Sequence, residues 1–85
     1  MYVVAYYNLD SRYKLYCGGR GLDVNAGVMQ AHCSTISRSK ACRFAKLATA
    51  QRKARDCNDR WGGVVEDDAT GEIVWKTKRA LALRL

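Results

Sequence analysis

Three groups of residues in this 85-residue chain have types and spacings that could do chemistry. The largest is basic. Arg38, Lys40, Arg43, Lys46, Arg52, Lys53, Arg55 and Arg60 stand close together with only Asp56 and Asp59 among them, and Lys76, Lys78 and Arg79 form a second run. Such cations contact phosphate oxygens or acidic protein surfaces, and contacts of this kind position a partner without reading a base sequence. The second group is acidic: Glu66, Asp67, Asp68 and Glu72 are four of the chain's eight carboxylates. It lacks the alternating acids and twelfth-position Glu of a calcium loop and reads as a solvated turn. The third group is the single His32 with Cys17, Cys33, Cys42 and Cys57. His32 and Cys33 are neighbours, and on a strand neighbours point to opposite faces, so they make no dyad. His32 therefore reads as a half-buried structural residue. No Cys-x-x-Cys pair is present, and a zinc site normally shows a close ligand pair. The cysteines read as free thiols in a reducing cytoplasm, with no metal and no cofactor. Gly18-Gly19-Arg20-Gly21 lacks the spacing of a phosphate loop and reads as a connector. With no nucleophile, acid–base pair or metal set in place, the chain reads as a binding protein, not an enzyme.

Positioning these groups requires a scaffold. The longest stretch free of Gly and Pro and rich in helix formers runs from Ser37 to Cys57, with Ser37 placed to cap it. Ala41, Phe44, Ala45 and Ala48 recur with helical spacing and predict one apolar face. Arg38, Arg43, Lys46 and Lys53 then share the other side. Arg52 and Arg55 fall nearer the apolar face, where their stems cover its end and their charges suit the helix C-terminus. Ahead of this helix, residues 2–8 are strongly β-prone on both faces, which fits either a central strand or an edge used in association. Arg12–Cys17 alternates and predicts a hairpin with them. Residues 22–27 read as a loop and 28–33 as a third strand or a short helix. After the helix, Gly62–Val65 and Glu72–Lys78 predict a second hairpin across the acidic turn. Trp61 and Trp75 are expected at the border of the core, each with its N–H at the edge. The Leu-rich tail, residues 79–85, extends the last strand or coils into a helical turn.

The expected fold is a single α+β domain over residues 1–85: an antiparallel sheet of four to five strands with one long helix on one face, in the order β-β-(β)-α-β-β. The chain has a net charge of +7, which favours polyanionic partners. Met1–Tyr7 has neither the basic start nor the apolar length of a signal peptide, and no run is long enough to span a membrane. A soluble cytoplasmic protein without membrane contact is expected.

Ser37-Arg38-Ser39-Lys40-Ala41-Cys42-Arg43-Phe44-Ala45 has the form Ser-x-Ser-x-Ala-x-Arg-apolar-Ala, and two strands with a Gly turn follow it. This stretch resembles small phage-encoded proteins that include some type I anti-CRISPR inhibitors. The resemblance implies one helix against a short antiparallel sheet. It also implies a non-enzymatic protein that binds a CRISPR surveillance complex and blocks or alters its contact with DNA. It assigns no contact residues. The expected function is inhibition of a host nucleoprotein machine by occupation of its surface. The alternative is direct binding of nucleic acid through the basic helix. On either reading the interface comprises Arg38, Arg43, Lys46, Lys53, Arg60, Lys76, Lys78 and Arg79. A homodimer through the Leu-rich tail or the first strand is a further expected association.

Overall fold

The β-prone run at the start of the chain forms β1 (Tyr2–Asn8), the middle strand of a five-stranded antiparallel sheet in a computed structural model of the protein. The structure describes residues 1–18, 22–23, 28–29, 34–35, 37–57 and 60–83, with backbone alone at 22–23, 28–29 and 34–35. Strand β2 (Lys14–Cys17) pairs with one side of β1, and β6 (Trp61–Asp67) pairs with the other along its whole length. The two-residue β5 (Ser34–Thr35) adds to β2, and β7 (Ile73–Lys76) adds to β6. Two short strands, β3 (Leu22–Asp23) and β4 (Val28–Met29), pair only with each other. Because β1 has a neighbour on both sides, it offers no free edge.

Alternation along β1 sends Val3 and Ala5 to one face and Val4 and Tyr6 to the other, and all four are buried. Each face has its own core. Val3, Ala5, Tyr16 and Val64 pack with Ala41 and Ala80 on the first face. Val4, Tyr6, Cys17 and Val65 pack with Ala50 and Ala54 on the second. The sheet is thus covered on both sides, which corrects the expectation of one helix on one face.

The expected single helix over residues 37–57 is also corrected. Arg38–Lys40 is one 3₁₀ turn, residues 41–46 are not helical, and α1 spans only Leu47–Arg55. Sheet ends compete for this backbone. The Phe44 N–H donates to the Tyr2 carbonyl and Tyr2 returns the bond, both at 2.8 Å, while the Cys42 N–H donates to the Cys17 carbonyl at 2.8 Å. Those strand groups would otherwise lack partners, and pairing them outweighs the few tenths of a kcal/mol per residue of helix propensity. Ser37 makes no capping bond. Ala45 and Ala48 are exposed, so the apolar face of the helix is Ala50 and Ala54 instead. Ala41 and Phe44 are drawn into the two different cores.

The tail does form a helix, α2 (Lys78–Ala82), which places Ala80 and Leu83 in the interior. Thr77 caps it by accepting from the Ala80 N–H at 3.3 Å, and its hydroxyl donates to the Gly63 carbonyl at 2.9 Å. Gly62 and Gly63 explain how two helices lie so close to one strand. A Cβ on Gly62 would stand 2.7 Å from the Ala80 backbone nitrogen, and a Cβ on Gly63 would collide with the Ala54 carbonyl. Across the sheet, Ile73 pairs with Glu66 while Trp75 pairs with Val65. This bulge sends Ile73 to the first core and Trp75 to the second, although plain alternation puts both on one face.

Candidate nucleic-acid interface

The acidic group, expected to be a solvated turn, holds part of the basic one. Glu66 lies within β6 and is only 3% exposed. It accepts from the Lys14 ammonium at 2.8 Å, and its other oxygen lies 3.5 Å from Arg38 Nε. Lys14 also sits over the rings of Tyr7 and Tyr16, at 5.4 and 4.8 Å from their centroids. Burial acts to lower the Lys14 pKa, but hydrogen bonds to Glu66 and the tyrosines outweigh it and raise the pKa overall. Asp68 is within 3.5 Å of Arg38 and 3.2 Å of Arg43. Arg43 Nη1 donates in addition to the carbonyls of Ala41 at 2.6 Å and Arg38 at 3.0 Å. These two arginines tie the 3₁₀ turn to the β6–β7 hairpin, each about a third exposed and each with an ion-pair partner inside the protein.

The remaining cations divide by position. Lys46 is the exposed N-cap of α1, at the far end from its basic last turn. Lys53 lies on α1, and its carbonyl accepts from the Tyr6 hydroxyl at 2.9 Å. Burial raises the Tyr6 pKa well above the ordinary phenol value. Arg60 is exposed just ahead of β6, and its carbonyl accepts from the Leu9 N–H.

Lys76, Lys78 and Arg79 line a hollow of about 500 Å³ between the last turn of α1, the end of β7 and α2. Arg55 enters it from α1, with its guanidinium 4.9 Å from the centre of the Trp75 ring. Trp61, Trp75, Cys57 and Leu81 supply the apolar lining. Among the described residues that line the hollow, none is a carboxylate. Burial pushes the Cys57 thiol pKa up, and its Sγ lies 3.4 Å from the Trp61 carbonyl oxygen and 3.5 Å from that of Ala54, either of which can accept from the thiol.

The hollow brings together three of the eight expected interface residues, from the second basic run. It adds Arg55, Trp61, Trp75 and Leu81. The sequence alone places Arg55 at the helix C-terminus and the two tryptophans at the core border. Their common location depends on the bulge in β7 and on α2, neither of which follows from periodicity. Two Trp in adjacent strands, the first preceded by Arg60 and the second followed by Lys76, are the signal that points there.

Among the described residues, no three His, Cys, Asp or Glu gather as metal ligands, and Cys17, Cys42 and Cys57 stand unbridged. No described helix is long and apolar enough to cross a membrane. No protein-family model, curated protein or solved structure matches the chain.

Proposed function

We propose that the protein is a small non-enzymatic binding protein that takes nucleic acid, alone or within a nucleoprotein complex, through the cationic hollow at the end of β7. One observation carries this reading: Arg55 of α1, Lys76 of β7, and Lys78 and Arg79 of α2 line one concave surface with aromatic walls. Phosphate oxygens attract these cations, and the net charge of +7 raises the encounter rate with any polyanion. The test is equilibrium binding of labelled oligonucleotides across about 50–200 mM salt, where affinity falls linearly on logarithmic axes with a slope set by the phosphates contacted. Four contacts to a single strand give a slope of roughly −3. A flat salt dependence, or no binding at the low-salt end, refutes the reading.

A second reading is inhibition of a host nucleoprotein machine, such as a CRISPR surveillance complex, by occupation of its surface. Leu81 favours it, because this side chain is 58% exposed at the border of the cations. An apolar side chain beside positive charge suits a protein partner with an acidic rim. The helix resemblance lends this reading no further support, since Ser37–Ala45 holds one 3₁₀ turn and is otherwise not helical. Nuclease treatment separates the two readings: a nucleic-acid-bound complex dissolves and a protein-bound one survives.

A further inference from the structure

We infer that the nucleic acid taken by this hollow is single-stranded, with a base stacked on the Arg55–Trp75 pair. The inference rests on the proposed polyanion binding and adds the class of ligand.

Cations alone do not distinguish a duplex from a single strand, but the walls of this hollow do. Arg55 is an exposed residue whose guanidinium lies over the Trp75 indole. An arginine plane held against an indole is a stacking surface in its own right, and unpaired bases stack on guanidinium planes as well as on aromatic rings. In a duplex the base faces are already stacked on one another, leaving only edges and phosphates exposed. A duplex gains nothing from an indole-backed platform, whereas a single strand gains one stacking contact in addition to its phosphate contacts. The size agrees: about 500 Å³ falls within the range of small-ligand sites. Lys78, exposed at the start of α2, and Arg79 beside it are placed to take the phosphates flanking the stacked base.

Both tryptophans of the chain line the hollow, so tryptophan fluorescence, excited apart from the five tyrosines, reports on this site. The experiment titrates the full chain with an oligothymidylate of about 15 nucleotides, a duplex of equal length and inorganic polyphosphate. The expected result is tryptophan quenching by the oligothymidylate, at an affinity at least roughly tenfold above that for the duplex, with polyphosphate binding without comparable quenching. Arg55→Lys keeps the charge and removes the plane. It is expected to weaken oligothymidylate binding about 5- to 150-fold and to leave polyphosphate binding unchanged. Equal affinity for all three polyanions, with Arg55→Lys silent, overturns the single-strand inference and leaves the polyanion reading standing. Binding to none of the three overturns both.

Discussion

Gly63→Ala is the sharpest single test of how the two helices are seated. The added Cβ would meet the Ala54 carbonyl oxygen and carbon and, at 3.0 Å, the Ala54 Cα. All three are backbone atoms, so no side-chain rotation relieves the overlap and α1 must lift from the sheet. Overpacking of this kind costs about 1–3 kcal/mol. Lifting α1 also stretches the bond from the Tyr6 hydroxyl to the Lys53 carbonyl, now 2.9 Å. The same hydroxyl also bonds with Cys17, so loss of the one bond adds about 1 kcal/mol. The sum, roughly 2–4 kcal/mol, is a large part of the ~4–13 kcal/mol typical for a domain of this size. Gly62→Ala meets Ala80 at 2.7–2.9 Å on the other face and is expected to cost about 2 kcal/mol. Gly71→Ala serves as the control, since its Cβ meets nothing within 4 Å and the cost comes from φ +76° alone, about 1 kcal/mol. Urea unfolding followed by circular dichroism ranks the three. A Gly63→Ala variant no less stable than Gly71→Ala would refute the close seating of α1 on β6.

Three other outcomes are expected. Glu66→Gln leaves the Lys14 ammonium between two rings without its anion; because Lys14 is 32% exposed and can rehydrate, the loss is about 1.5–2 kcal/mol in the same unfolding assay. Burial raises the pKa of Tyr6 and of Cys57, so both hold their protons more tightly folded than unfolded, and stability declines as pH climbs past the ordinary thiol value, about 8.5, and more steeply past the phenol value, about 10; an unfolding midpoint that rises there contradicts the buried placement of both groups. Arg12 has φ 61° in the β1–β2 turn, so Arg12→Gly is expected to stabilise by about 0.5–1 kcal/mol, and a clear loss would mean that its side chain holds the turn.

Much of the sheet is legible in the residues. Tyr2–Asn8 is apolar on both faces because it is the middle strand between two cores. The alternating Lys14–Cys17 pairs with it, and Trp61–Asp67 with Ile73–Lys76 forms the second hairpin. The C-terminal half of the expected helix is present as α1. The N-terminal half is not, because Cys42 and Phe44 bond to distant strand ends and Arg43 reaches carbonyls and Asp68. A propensity window sees neither. Glu66 and Asp68 resemble turn residues in sequence, and their capture of Arg38, Arg43 and Lys14 exists only once the chain has folded. The same holds for the interface. Lys76, Lys78 and Arg79 stand out as a charge run, but their meeting with Arg55 and two indoles depends on a one-residue bulge and a five-residue helix. His32 and Cys33 lie outside the described residues.

Two double variants compared in one binding assay test most directly whether the hollow, and not the arginines of the 3₁₀ segment, is the interface. Arg55→Glu with Lys78→Glu reverses two exposed cations of the hollow. Arg38→Gln with Arg43→Gln neutralises the pair already bound to Asp68 and Glu66. The expected result is that the first pair lowers single-strand affinity by at least roughly tenfold and reduces the salt slope by about 1.4, while the second loses stability and keeps its affinity and slope. Loss of binding in the Arg38/Arg43 variant, with the Arg55/Lys78 variant unaffected, would contradict the account at its centre.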